Sequence, residues 1–300
     1  MKKLVALVMV FALLAVLTVV AFAEAEVSPV VAEKAMAYLA NYDGAKYTIK
    51  VPDFFAKIDA GEEMLVLDIR QPDAYAEGHL KGAINVPYGT AIAENLVKIP
   101  DDVQLYIYCY TGQTASQTTA LLNVAGKFAT NVQGGFNNGI SATEGFDKYV
   151  TKDEGAQLPD ETYEVDADVQ AAITKYFEQV TANAGTTFAN NNFAPESLKE
   201  VVDAQMDDYF IYSVRQAKDF DAGHIQGAVN NPFGAGMEKN FEQLPKDKKI
   251  IVYCYTGQTA SQTTAILRLL GYDAYNLSGG MGKEGGTSGW LGKGFPVVTK

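Results

Sequence analysis

The stretch YCYTGQTASQTTA occupies residues 108–120, and the same thirteen residues return at 253–265. They hold both cysteines of the 300-residue chain, Cys109 and Cys254. The apolar residues before each cysteine, LYIYCY and IIVYCY, read as buried strands. The residues after each glycine, ASQTTALLNVAG and ASQTTAILRLLG, read as helices that stop at a glycine. Each copy is therefore strand, cysteine, six-residue loop, helix.

The repeat extends outward from the loop. Asp68-Ile69-Arg70 aligns with Ser213-Val214-Arg215, His79 with His224, Pro87 with Pro232, and Gly134-Gly135 with Gly279-Gly280, always 145 positions apart. A unit of this length is a duplicated domain, not a solenoid repeat. In both copies, short β-branched or aromatic runs alternate with helical stretches. That order predicts an α/β fold with a parallel sheet of about five strands and helices on both faces. A helical stretch precedes each copy, at 30–42 and 166–180, and the polar segment 181–195 reads as loop or linker.

The start of the chain stands apart. Lys2 and Lys3 precede an apolar run from Leu4 to Phe22, and Ala21-Phe22-Ala23 has the small-x-small form of a cleavage site. This predicts a signal peptide over 1–23 and an exported protein, periplasmic or extracellular. The alternative is an uncleaved membrane anchor at residues 4–23. The expected organisation continues with a helical segment at 24–49, domain 1 at 50–150, a linker with a helix at 151–192, and domain 2 at 193–300. The net charge of −12 comes without a basic cluster, which argues against nucleic acid as a partner. Pairing of the two cysteines in a disulfide would require the two loops to meet face to face.

In a parallel α/β sheet, ligands bind beyond the carboxyl ends of the strands. A helix N-terminus there presents free backbone N–H groups. Gly112 and Gly257 let each loop curl so that successive N–H groups point inward, and Thr111, Thr114, Thr256 and Thr259 add hydroxyls. Such surroundings favour a thiolate. Two identical loops, in copies that differ elsewhere, favour chemistry over an inert cysteine at a strand end.

These residues resemble the rhodanese (sulfurtransferase) family. The resemblance rests on Asp68-x-Arg70, Gly78-His79-Leu80-x-Gly82-Ala83-Ile84-Asn85-x-Pro87, Cys109-x-x-Gly112-x-Thr114 and Gly134-Gly135. Copy two matches at Gly223-His224-Ile225-x-Gly227-Ala228-Val229-Asn230-x-Pro232, Cys254 to Thr259, Gly279-Gly280-Met281 and Trp290. It implies two rhodanese-like domains that move sulfane sulfur through cysteine persulfides, without cofactor or metal. Cys109 and Cys254 are then catalytic. Arg70, Tyr110, Thr111, Gly112, Gln113 and Thr114 are the expected substrate-binding residues of copy one, and Arg215, Tyr255, Thr256, Gly257, Gln258 and Thr259 of copy two. The implied partners are small sulfur-containing anions or a protein persulfide, with a membrane only if the leader is retained. A non-turnover persulfide or polysulfide carrier is the alternative function.

Three departures qualify the resemblance. Both copies keep the cysteine, whereas many tandem members keep only the second. Tyr110-Thr111 and Tyr255-Thr256 follow the cysteines where thiosulfate-using members often carry basic residues. Ser213 replaces the first aspartate of copy two's D-x-R. Cysteine phosphatases share the scaffold but close the loop with an arginine, and Thr114-Ala115-Ser116 and Thr259-Ala260-Ser261 stand there instead. Arg70 and Arg215 have an alternative as structural ion pairs, and His79 and His224 as turn histidines satisfied by backbone.

Overall fold

A computed structural model describes residues 27–43 and 47–300. The leader and the anchor expected within 1–23 lie outside the described residues. Among these, no helix is long and apolar enough to cross a membrane.

Helix α1 (Pro29–Ala40) leads into domain 1. Its elements are β1 (Thr48–Ile49), α2 (Val51–Asp59), β2 (Leu65–Asp68), α3 (Pro72–Glu77), β3 (His79–Leu80), β4 (Ile84–Asn85), α4 (Thr90–Glu94), β5 (Gln104–Tyr108), α5 (Gln113–Val124), β6 (Phe128–Val132) and β7 (Val150–Thr151). Helix α6 (Ala167–Ala182) leads into domain 2. There follow β8 (Asn192–Phe193), α7 (Pro195–Ala204), β9 (Tyr209–Ser213), α8 (Ala217–Ala222), β10 (Val229–Asn230), β11 (Lys249–Tyr253), α9 (Gln258–Leu269), β12 (Ala274–Leu277) and α10 (Gly289–Gly292).

Each domain holds a five-stranded parallel sheet, in the orders β1-β6-β5-β2-β4 and β8-β12-β11-β9-β10. The two orders are the same under the repeat. The central strands are β5 and β11, the ones that end at the cysteines. Segment 181–195, read as a linker from its Asn, Gly and Thr content, contains β8, the edge strand of the second sheet. Two residues of strand are too short for a period-two signal, and pairing with β12 is what fixes them.

Side chains alternate across a strand, so each sheet has two faces. Tyr106 and Tyr108 face a core private to domain 1, with Phe54, Phe55 and Tyr149. Ile251 and Tyr253 face the private core of domain 2, with Leu198 and Trp290. The opposite parity, Leu105, Ile107 and Cys109 with Ile250, Val252 and Cys254, belongs to a single core that spans both domains. Helices α1, α5, α6 and α9 are packed within it.

The inner faces therefore meet across a local two-fold relationship. Helix α5 packs on α9, its own repeat. The leading helices cross over: α1, before domain 1, packs against residues 237–243 of domain 2, and α6 packs against α4 of domain 1. Ring contacts repeat the exchange, with Tyr42 edge-on to Phe233 at 4.8 Å and Phe177 edge-on to Tyr88 at 5.5 Å. Positions 88 and 233 are repeat equivalents. The copies do meet face to face, yet both cysteines are free thiols.

Candidate functional site

Cys109 and Cys254 each leave the carboxyl end of a central strand and precede a helix whose first residue is Gln113 or Gln258. Both are about 2% exposed. The Gly112 N–H donates to Cys109 Sγ at 3.1 Å and the Ala115 N–H at 3.4 Å. In the second loop the Gly257 N–H donates to Cys254 Sγ at 3.1 Å. Cys109 Sγ thus faces two backbone donors and Cys254 Sγ one, each at the opening of a helix. A thiolate or persulfide anion gains from the donors and from the helix opening.

Loop shape follows from two pairs of hydrogen bonds and one pair of glycines. The carbonyl of Cys109 accepts from Phe136 N at 2.7 Å, and that of Tyr110 from Asn137 N at 2.8 Å. The carbonyls of Cys254 and Tyr255 accept from Met281 N at 2.8 Å and Gly282 N at 2.9 Å. Peptide planarity sets each N–H opposite the preceding carbonyl, so pinning these carbonyls fixes the direction of the next two N–H groups. Gly135 lies so close beneath the first loop that a Cβ there would stand 2.5 Å from Cys109 O and 2.6 Å from Gly112 N. Gly280 has the same relation to Cys254 and Gly257, at 2.7 Å for both. Glycine at φ near +60° is required at both places.

The remaining expected residues fall into three groups. Tyr110 and Tyr255 are exposed, at 38% and 41%, as is Thr256. Their hydroxyls accept from Gln71 N at 3.2 Å and Gln216 N at 3.1 Å, and Tyr255 also donates to Asp219. Burial first, then that Asp219 contact, raises the Tyr255 phenol above its ordinary value. Thr111 and Thr256 accept from the side-chain amides of Gln113 and Gln258, each at 3.1 Å. Thr114 and Thr259 use their carbonyls inside the helix, accepting from Thr118 and Thr263.

Arg70 and Arg215 are not at the rim. Arg70 is 3% exposed. It gives Nε and Nη2 to Asp68 at 2.6–3.1 Å and Nη2 to Gly78 O at 2.7 Å, with Phe136 4.0 Å from its guanidinium. Burial opposes its charge, but the Asp68 hydrogen bonds and charge prevail and hold it above its usual value. Arg215 is also buried, donates Nη1 to Gly223 O at 2.6 Å, and leaves Nε without a partner. His79 lies in β3 and His224 in a bridge to Val298 rather than in turns, and the Nδ1 of each donates to backbone, to Tyr75 O and Phe220 O at 2.9 Å. Among the described residues no group of three His, Cys, Asp or Glu could hold a metal.

Gln113 and Gln258, expected to bind substrate, send their side-chain oxygens to the other domain, a role that sequence reasoning missed. Gln113 Oε1 accepts from Asn276 Nδ2 at 2.8 Å and Gly279 N at 3.1 Å. Gln258 Oε1 accepts from Asn131 Nδ2 at 2.9 Å and Gly134 N at 3.1 Å. Gln117 Nε2 donates to Asn190 O at 3.0 Å, and Gln262 Nε2 to Thr48 Oγ1 at 3.4 Å. The signal was present: identity runs through 120 and 265, well past any residue the loop chemistry needs.

Comparison with known proteins identifies the family. The rhodanese-like domain family matches residues 51–142 and 194–283, together more than half of the chain. The "Putative thiosulfate sulfurtransferase 2" of Mycobacterium bovis is 25% identical over 243 residues, 70% of this chain and 72% of that protein. The "Putative sulfur carrier protein YrkF" of Bacillus subtilis is 25% identical over 97 residues, 32% of this chain and 52% of that protein. The solved thiosulfate sulfurtransferase of Pseudomonas aeruginosa is 19% identical, with 83% of this chain and 46% of that one covered and a TM-score of 0.34. With a matched domain in each half, the chain belongs to the rhodanese-like family as a tandem member.

Proposed function

We propose that the protein is a sulfurtransferase that carries sulfane sulfur on Cys109 and Cys254. The observation that carries this reading is the pair of free thiols, each with the backbone N–H of the loop glycine donating to Sγ at the end of a central strand. The thiolate attacks the outer sulfur of a donor. A Cys–S bond forms, the donor's S–S bond breaks, and its electron pair leaves with the donor remnant, sulfite in the case of thiosulfate. The resulting persulfide anion keeps the same N–H donors. A thiophilic acceptor then attacks the terminal sulfur and returns the thiolate. The step is covalent catalysis split in two, with preorganised donors for the charge.

Donor choice follows from the loop. It offers N–H and hydroxyl groups but no cation, and Asp68 already holds Arg70. The reading therefore favours polysulfide or a protein persulfide over thiosulfate. The names of two relatives, a thiosulfate sulfurtransferase and a sulfur carrier, support sulfur handling in general. The second name also supports a carrier that passes its persulfide to a partner without free turnover. The Lys2-Lys3, Leu4–Phe22 and Ala21-Phe22-Ala23 pattern supports a site of action outside the cytoplasm.

Mass spectrometry after incubation with thiosulfate, polysulfide or 3-mercaptopyruvate tests this function. One added sulfur at each cysteine is the expected result. Protein that takes no sulfur from any donor is not a sulfurtransferase. Turnover with cyanide as acceptor separates the enzyme from the carrier.

A further inference from the structure

We propose that each cysteine loop is positioned by a glutamine of the other domain, so that the two thiols form one coupled unit. Gln258 is the positioning residue for Cys109, and Gln113 for Cys254. The inference rests on the reading of both cysteines as sulfur-accepting thiols and goes beyond it.

The contact is direct on both sides of each loop. Gln258 Oε1 accepts from Gly134 N and Asn131 Nδ2. Gly134 begins the tight turn whose next residue, Gly135, lies against Cys109 O and the N–H of Gly112. The same oxygen lies 2.6 Å from the place a Cβ on Gly112 would take. Gly112 is the residue whose N–H donates to Cys109 Sγ. One amide oxygen from domain 2 thus touches both backbone pieces that shape the thiol site of domain 1. Gln113 repeats this at Gly279 N, at Asn276, and at 2.6 Å from the Cβ place on Gly257. Both glutamines also donate Nε2 to the threonine of their own loop, Thr111 or Thr256. Each therefore bridges one loop to the other.

This arrangement accounts for the identity of the two stretches. At a two-fold contact each residue meets the repeat of its counterpart's partner, so both copies face matching surroundings that suit the same residue types. Gln113 and Gln258 make such crossed bonds, to Gly279 N and Gly134 N, which are repeat equivalents. Elsewhere the copies are free to differ, as at Asp68 and Ser213.

The test is site-resolved. Gln258→Met and Gln113→Met are compared with the wild type for the rate of iodoacetamide alkylation at each cysteine at neutral pH, read by peptide mass spectrometry. Loss of the crossed acceptor loosens N–H groups that stabilise the thiolate. Gln258→Met is expected to slow Cys109 by about fivefold, the scale of a single hydrogen bond, and Cys254 by less than half as much. Gln113→Met is expected to show the reverse. Both cysteines are read within one molecule, so general destabilisation moves them together and leaves their ratio unchanged. Equal changes at both thiols, a larger change in the variant's own loop, or no change overturns the proposal. Sulfur loading of the same samples tests the underlying function separately: wild type that takes no sulfur ends that reading, whatever the alkylation pattern.

Discussion

Arg215 sits above Ser213 where its counterpart Arg70 sits above Asp68. The carboxylate of Asp68 binds Arg70 through both oxygens, while the Arg215 guanidinium donates to the Gly223 carbonyl, lies 5.3 Å from the Tyr255 ring and keeps a buried, unpartnered Nε. The duplicated site is thus asymmetric in the charge of one buried partner.

That asymmetry predicts opposite effects for the two exchanges. Asp68→Ser leaves a buried guanidinium without its counter-ion and should cost about 3 kcal/mol. Ser213→Asp gives Arg215 the missing acceptor and should stabilise by about 1 kcal/mol. Urea denaturation of both variants checks the signs. A stabilising Asp68→Ser would show that the pair does not hold Arg70 in place.

Division of labour between the thiols is the second prediction. The loops share sequence, the glycine N–H that donates to Sγ and the glycine turns, so both should accept sulfur. Cys109→Ser and Cys254→Ser should each lose part of the sulfurtransferase activity and the double variant all of it. The check is steady-state cyanide-acceptor turnover for the three proteins. If one single variant alone abolishes turnover, the two sites act in series or one is idle.

The central helices carry the third. Ser116 Oγ, Thr119 Oγ1, Ser261 Oγ and Thr264 Oγ1 are buried without a hydrogen-bond partner, at repeat-equivalent positions. Valine keeps the shape of threonine and has a similar helix propensity. Thr119→Val and Thr264→Val should each stabilise by about 1 kcal/mol, because an unsatisfied hydroxyl is removed. Thermal melts of the single and double variants check this. A fall in melting temperature would mean that these hydroxyls bind buried water.

Much of the fold was legible because buried parallel strands and the helices between them write long apolar runs. LYIYCY and IIVYCY gave the central strands, and the glycines after each helix gave the helix ends. Strands β1 and β8 were not legible, since two residues carry no period and their identity comes from pairing with β6 and β12. The cysteines, their loops and the Gly-Gly turns were legible from type and spacing. The roles of Gln113 and Gln258 were not, because the donors their Oε1 atoms accept from, Gly279 N and Gly134 N, are more than 120 positions away in the chain. Nor was the burial of Arg70 decided by its place after a strand; the geometry of the Asp68 carboxylate decides it.

The last prediction concerns donor choice. A dianion such as thiosulfate must leave water for a site whose sulfur is almost fully covered. A basic loop residue would contribute about 1 kcal/mol or more of attraction, depending on exposure. This loop has none, both arginines of the D-x-R positions are buried, and the chain carries a net charge of −12. Long-range attraction for anions is weak under those conditions. The wild-type KM for thiosulfate should lie in the millimolar range or above, the upper end of the usual span. Polysulfide should do better, because a sulfur chain also gains from contact with the rings of Tyr110 and Tyr255. Thr256 is exposed and Thr111 half-buried, so lysines at these positions can extend toward the entrance. Their cost is the bond each threonine receives from Gln113 or Gln258. Thr111→Lys with Thr256→Lys should lower KM for thiosulfate with less change for polysulfide. Cyanide-acceptor kinetics of the wild type and the double variant check both points. A wild-type KM in the low micromolar range, or no response to the two lysines, would show that loop charge does not select the donor.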